Sequence, residues 1–312
     1  MTMDGASGYP RTIYVTGAAR SGSTLLGEVL GAQPRILNIG EISLFWRDAH
    51  RGNLCACGRP IPECELWSRA LAEVEERHGV TLDACASLAR TRARLARTSR
   101  PMELRRLLRS DPANWPSDVR RLVAATTTLV SSAASTAGAN TVVDTSKTVP
   151  ALLFLDLCGA RYDIVHLIRR PEAVASSTFR SRSVRRGNAD SKPPGGSLAT
   201  GVSRWAWSNA CGVVAPKVAS PRDYQRFHYE AFTEDPEGSV AALCTSLGVE
   251  TDPTVVQGHR VSLPGTSHAA VGNPSRGSRE ITVSEDNRWR QELTPLQARL
   301  ISGATAPLRK FL

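Results

Sequence analysis

The stretch Gly17-Ala18-Ala19-Arg20-Ser21-Gly22-Ser23-Thr24 lies between a β-branched run, Thr12 to Thr16, and an apolar segment running from Ser23 to Leu30. Strand, glycine turn and helix in that order present successive backbone N–H groups at a helix start, where the helix dipole also favours negative charge. Such a turn is suited to cradling a phosphate-like anion. Its spacing is that of G-x-x-x-x-G-K-[ST], yet Ser23 stands where that motif needs the lysine that reaches the β- and γ-phosphates. That loss counts against a nucleoside triphosphatase or kinase. Arg20, inside the turn, offers a fixed cation with a fork of donors instead.

Three further groups of residues follow strand-like runs. Arg169 ends the run from Tyr162 to Ile168, and Pro171, well placed at a helix start, is followed by Ser177. An arginine leaving a strand and a serine one or two helical turns later can converge on one phosphate. Asp144-Thr145-Ser146-Lys147 follows Thr141 to Val143, and Lys147 is one of only four lysines in the chain. Glu41 stands just past a strand expected at Arg35 to Ile39, where ligands of open parallel sheets collect.

Taken together, Arg20-Ser21-Gly22-Ser23-Thr24, Arg169 with Ser177, and Lys147 resemble the corresponding motifs of the PAPS-dependent sulfotransferase family, especially its bacterial and carbohydrate-type branches. PAPS is 3′-phosphoadenosine 5′-phosphosulfate and its product PAP is 3′-phosphoadenosine 5′-phosphate. The resemblance implies that Gly17, Arg20, Ser21, Gly22, Ser23 and Thr24 hold the 5′-phosphosulfate end, and that Arg169 and Ser177 hold the 3′-phosphate. His268 to Arg276 resembles a C-terminal cofactor loop, with Gly272 and Asn273 in it and Arg276 as a further 3′-phosphate contact. Glu41 is placed like the glutamate base of related enzymes, and Lys147 like the lysine near the sulfonyl group. The implied reaction moves a sulfonyl group to a hydroxyl of a small-molecule acceptor, with Glu41 removing the proton and Lys147 and Arg20 meeting charge on the departing phosphate. No metal is required. The competing bases are His50 and His268, while His166 reads as a strand residue facing the core.

To position these groups the chain needs a parallel sheet with the site at its carboxyl edge. Strand signals at 12–16, 35–39, 141–143, 162–168 and 225–229 alternate with helical patterns, which predicts a three-layer, P-loop-like α/β fold with about five parallel strands. Residues 64–137 are helical throughout and read as an insertion within a single domain spanning 1–312, a lid with Trp46 and Trp67 available to an acceptor. Arg186 to Gly201 and Pro264 to Gly277 are rich in Gly, Pro, Ser and Asn and read as loops, the cofactor loop extending to about residue 290. Tyr229-Glu230 and Asp235-Pro236 read as structural, the glutamate capping its own helix.

The net charge of +10 admits a nucleic-acid-binding protein as an alternative, with an atypical P-loop kinase using ATP and magnesium held by Asp144 as the enzymatic one. Much of the excess lies in Arg90 to Arg121, where Leu104, Leu107 and Leu108 recur at helical spacing, so a solvated helical face is expected there and no nucleic-acid partner. No apolar run approaches the roughly 20 residues of a membrane span, and the expected location is cytoplasmic. Of seven cysteines, Cys158, Cys211 and Cys244 sit in apolar surroundings and read as core. Cys55, Cys57 and Cys64 are closely spaced and admit a zinc site completed by His50 or Cys85, a disulfide, or a reduced loop.

Overall fold

The computed structural model describes residues 8–96, 101–184, 197–263, 265–270 and 280–312. Strand β1 (Arg11–Gly17) runs through the glycine turn into α1 (Ser23–Gly31), β2 (Ile36–Gly40) and α2 (Phe45–His50). The insertion follows as α3 (Glu65–His78), α4 (Cys85–Leu95), α5 (Pro101–Arg109) and α6 (Ser117–Thr136). Next come β3 (Thr141–Lys147), α7 (Val149–Leu157), β4 (Tyr162–Ile168), α8 (Pro171–Val184), α9 (Leu198–Val218) and β5 (Tyr224–His228). Helices α10 (Tyr229–Glu234) and α11 (Pro236–Leu247) precede three short strands, β6 (Val256–Gln257), β7 (Arg260–Ser262) and β8 (Glu280–Thr282), and the chain closes with α12 (Trp289–Glu292) and α13 (Pro295–Arg309).

The main sheet has the order β2-β3-β1-β4-β5 with every pairing parallel, which places β1 at its centre. Side chains alternate across it. Ile13 and Val15 of β1, Val143 of β3 and Val165 of β4 pack with Leu26, Val29 and Leu30 of α1 and Val240 and Leu243 of α11. Tyr14, Val142 and Ile164 face the other way, against Leu152 of α7 and Leu122, Ala125 and Leu129 of α6. Both faces are therefore covered, as an all-parallel sheet requires. The insertion and the sheet share this second cluster, with Trp67, Ala70 and Val74 of α3 included in it.

Two sequence expectations change here, and one small sheet is added. The stretch Arg186 to Gly201 is not loop throughout, because α9 starts at Leu198. Ser197 and Thr200 cap one another's backbone there, and a threonine at the third helical position lacks the usual Glu or Gln signal. The antiparallel sheet of β6, β7 and β8 had no signal, since strands of two or three residues are too short to show alternation. Nor is the arginine-rich insertion simply a solvated face: Arg92 is buried, and Arg94 pairs with Glu103 and Asp118. Among the described residues no helix is long and apolar enough to cross a membrane.

Candidate active site

The turn after β1 is shaped by positions that only small residues fill. Gly17 has φ 135°, and a Cβ there would lie 2.3 Å from the Leu167 carbonyl oxygen. Gly22 has φ 97°, and its Cβ would lie 2.8 Å from the Tyr229 ring. Gly22 is the N-cap of α1 and brings no side-chain cap, so the first N–H groups of that helix face the turn without a side-chain acceptor. The Ser21 hydroxyl is buried with no hydrogen-bond partner.

Arg20 and Arg169 meet beside this turn. Arg20 Nε donates to Ser177 Oγ at 3.0 Å, and Arg169 Nη1 donates to the Arg20 carbonyl at 2.8 Å. The Arg169 guanidinium carbon lies over the Tyr229 ring, 4.3 Å from its centroid, and Arg169 Nε is buried without a partner. The residues that the sequence divides between the two ends of the nucleotide thus form one continuous cationic wall. Asp286 closes it: the carboxylate bonds Arg288 at 2.7 Å and approaches Arg169 and Arg180 at 3.5 Å each. Arg288 foremost, with Arg169, holds the Asp286 carboxyl below the usual carboxylate range against its partial burial. Asp286 falls in the cofactor loop that the sequence carries to about residue 290 and Tyr229 reads as structural, and neither is singled out as a site residue because neither lies in a recognisable spacing with Arg169. Gly272, Asn273 and Arg276 lie outside the described residues.

The second half of the site forms where β3 is irregular. Pairing shifts register after Tyr14 on one side of β3 and after Asn38 on the other. Strand β3 itself extends past Val143 to Lys147, whose φ is +69°, an uncommon conformation for a side-chain-bearing residue. Thr16 fixes that turn by donating to the Lys147 carbonyl at 2.7 Å, and Ser43 N donates to Ser146 Oγ at 3.1 Å. A bulge of this kind re-aims the side chain beyond it. Lys147 Nζ here donates to Glu41 Oε1 at 2.6 Å and to the Thr145 carbonyl at 2.8 Å.

Glu41 and Lys147 open onto a cavity of about 680 Å³ that Gly17 and Ala19 of the anion turn also line. Its remaining walls are largely apolar: Leu104 from α5, Val149, Pro150 and Leu153 from α7, and Trp207, Cys211 and Val214 from α9. Cys211 is therefore a half-buried wall residue, whereas Cys158 and Cys244 are core as expected. Trp46 and Trp67 are not acceptor contacts. Both are buried, with Trp46 Nε1 donating to Thr126 Oγ1 at 3.0 Å and Trp67 Nε1 to the His268 carbonyl at 2.7 Å. The exposed aromatic at the cavity is Trp207, which a single sequence does not distinguish from the core tryptophans.

The alternative assignments fare differently. Asp144 is 1 % exposed, with one oxygen accepting from Ser146 N at 2.8 Å and the other unpartnered, so it is sealed in the sheet rather than offered to magnesium. Burial raises its carboxyl to about 6, against the hydrogen bonds from Ser146 and the attraction of Arg92. His166 is a core residue: burial holds its imidazole down at about 4, its two ring nitrogens meet Tyr224 and Asn209, and Gly212 leaves room for the ring. His50 is exposed at the end of α2, and neither it nor His268 lines the cavity of Glu41 and Lys147. Glu230 stands in the first turn of its own helix, as expected, and its carboxylate also accepts from Arg170 N, just before α8, at 2.9 Å. Asp235 does cap the helix it precedes, accepting from Gly238 N at 3.0 Å.

Cys55, Cys57 and Cys64 are gathered around His268, with all four ligand atoms within 4.8 Å of one another. The suggested fourth partners are elsewhere. His50 is exposed outside this group, and Cys85 Sγ lies 3.6 Å from the Thr81 carbonyl with burial pushing its thiol up to about 11.

A family model described as the sulfotransferase family matches residues 10–253. Among solved structures, the sulfotransferase domain from the olefin synthase of Synechococcus PCC 7002 covers 96 % of this chain over 95 % of its own, with 18 % identity and a TM-score of 0.51. The sulfotransferase domain from the curacin biosynthetic pathway covers 95 % of this chain over 98 % of its own, with 16 % identity and a TM-score of 0.50. At such identities these two likenesses speak to the fold. No curated protein matches at a significant level. A glycine turn lacking the kinase lysine, a cationic wall beside it and a family match across most of the chain converge: this chain belongs to the sulfotransferase family.

Proposed function

We propose that the protein transfers a sulfonyl group from PAPS to a hydroxyl of an apolar small molecule, with Glu41 as the general base. The observation that carries this reading is the position of the Glu41–Lys147 pair, joined at 2.6 Å, on a largely apolar cavity whose rim is the anion turn. PAPS, when bound, supplies the sulfonyl group and departs as PAP. The residues present suit it. An uncapped helix start, the unpartnered Ser21 hydroxyl and the unpartnered Arg169 Nε are all donors in need of an acceptor, and phosphate and sulfate oxygens are acceptors. Arg169 and Ser177 are the candidates for the 3′-phosphate, and Arg20 with the turn from Gly17 to Thr24 for the other end.

Glu41 takes the proton of the acceptor hydroxyl, which frees that oxygen to bond to sulfur. Lys147 stands beside it as a fixed cation for negative charge gathering on the oxygen that sulfur leaves. The strained Lys147 backbone, clamped by Thr16, keeps that ammonium from relaxing away. The apolar walls admit an acceptor with a hydrocarbon or aromatic body and exclude water from the reacting oxygen.

Calorimetric titration with PAP, beside ATP with magnesium and adenosine 5′-phosphate, tests the donor. Selective binding of PAP is the expected result, and preference for ATP would return phosphoryl transfer to consideration. Glu41→Gln should bind PAP as the wild type does while turnover falls about 10²- to 10⁴-fold, the usual contribution of a positioned base. Wild-type turnover in that variant would remove Glu41 from the role.

A further inference from the structure

The cluster around His268 is built by parts of the chain far apart in sequence, and it lies outside the cavity of Glu41 and Lys147. Cys55 and Cys57 sit on a tight knuckle closed by Cys55 N donating to the Arg59 carbonyl at 2.8 Å and Gly58 N to the Cys55 carbonyl at 2.9 Å. Gly58 takes φ +88° to allow that turn. Cys64 follows as the N-cap of α3. His268 arrives 204 residues later, with Nδ1 at 3.2 Å from Cys64 Sγ. Three main-chain anchors hold it there: its carbonyl takes the Trp67 indole N–H, Ala269 O takes Ala56 N at 3.1 Å, and Ala270 N donates to Ile39 O at 3.3 Å.

We propose that Cys55, Cys57, Cys64 and His268 bind a structural zinc ion. Three thiolates and one imidazole form a closed tetrahedral set of the kind zinc prefers, with no position left for substrate. Zinc–sulfur bonds of about 2.3 Å give a tetrahedron with edges of about 3.8 Å. Four ligand atoms already within 4.8 Å of one another need to contract by no more than about 1 Å to meet it. Cys55 and Cys64 are fully buried, and Cys57 and His268 are half-buried, so the site is shielded yet reachable. A disulfide would use two of the three sulfurs and leave the third, and the histidine, without a function.

The ion would staple three pieces: the knuckle after α2, the start of α3, and the segment Ser267–Ala270. That last segment is hydrogen-bonded to Ile39 in β2, the strand that delivers Glu41. It also includes His268, the first residue of the stretch His268 to Arg276 that resembles a cofactor loop. Zinc therefore ties the late part of the chain to the early strand that carries the proposed base, without entering the reaction.

The test is elemental analysis of the full chain purified under reducing conditions without an affinity metal, followed by exchange with Co²⁺. About one zinc per chain is expected, and the cobalt form should show thiolate-to-metal charge-transfer absorption and tetrahedral d–d bands. His268→Ala should retain less than about a tenth of the wild-type metal after passage over a mild chelator, with far-UV circular dichroism unchanged, and Cys57→Ser provides a second variant at the less buried sulfur. Wild-type protein that is folded and reduced, yet holds no zinc and takes up neither zinc nor cobalt, would overturn the proposal. Full metal retention in both variants would overturn it too, by placing the ion elsewhere. Neither outcome depends on sulfonyl transfer, so the zinc site and the proposed activity can fail separately.

Discussion

The two ends of the active site are made in different ways. The anion end is a backbone device: one contiguous turn, the uncapped start of α1, and two arginines fixed by main-chain and aromatic contacts. The opposite end is a side-chain device, a cavity whose walls come from α5, α7 and α9. Backbone sites tolerate little change of residue type, since Gly17 and Gly22 admit no side chain at all. Side-chain sites change character with every substitution. On the proposed reading, an anion end built the first way and an acceptor end built the second let one scaffold keep its donor while its acceptor varies.

The largest separation of the two ends should come from Arg169→Ala. Loss of a guanidinium held 7 % exposed and stacked on Tyr229 removes charged hydrogen bonds worth about 1.5–3 kcal/mol, a 10- to 150-fold loss of PAP affinity by calorimetry. Arg169→Lys keeps the charge without the fork and should recover only part of that. If PAP affinity stays and only the acceptor KM rises, the division between the ends is wrong.

The same contrast explains what the sequence displays and what it hides. That the glycine turn, Arg169 and Ser177, Lys147 and Glu41 gather at one place is legible because each follows a strand at short range, and a parallel sheet must bring strand ends to one edge. All five strands of the main sheet could be placed for the same reason, to within a few residues. The cavity walls are not legible. Leu153 and Val214 look like any apolar helix residue, and only the packing of α7 beside α9 puts them on one cavity. Asp286 and His268 fall in the stretch read as the cofactor loop, but their partners Arg169 and Cys64 are hidden, since a lone carboxylate or imidazole in a polar stretch has no periodicity to mark what it meets. The closeness of Cys55, Cys57 and Cys64 was visible, but their fourth partner 204 residues from Cys64 was not.

Beneath both ends lies a buried polar layer, and Asp144 tests whether it is shared. Its carboxyl stands at about 6 in the folded protein against 3.8 ordinarily, so between those values the folded state binds more protons than the unfolded one. Stability from this group must then fall as pH rises from about 4 to about 6, by up to about 1.4 kcal/mol per unit, and level off above that. Asp144→Asn should remove this slope from urea unfolding curves measured across the window. Arg92 of α4, buried near the same carboxylate, opposes the rise, and an unchanged slope would mean that burial does not lift the Asp144 carboxyl.

The smallest expected effect is the most specific. Trp207 is 64 % exposed on α9 and lines the cavity, so Trp207→Ala should leave the fold and PAP binding unaltered. An acceptor with an apolar body would lose part of its contact area, and at about 25 cal/mol per Å² the loss of some 40–60 Å² amounts to about 1–1.5 kcal/mol, a rise of roughly 5- to 12-fold in its KM. The kcat should hold, because uniform binding is lost rather than contact made only in the transition state. A fall in kcat at constant KM would instead give Trp207 a part in aligning the reacting hydroxyl, and the acceptor end would then share the positioning work assigned to Glu41 and Lys147.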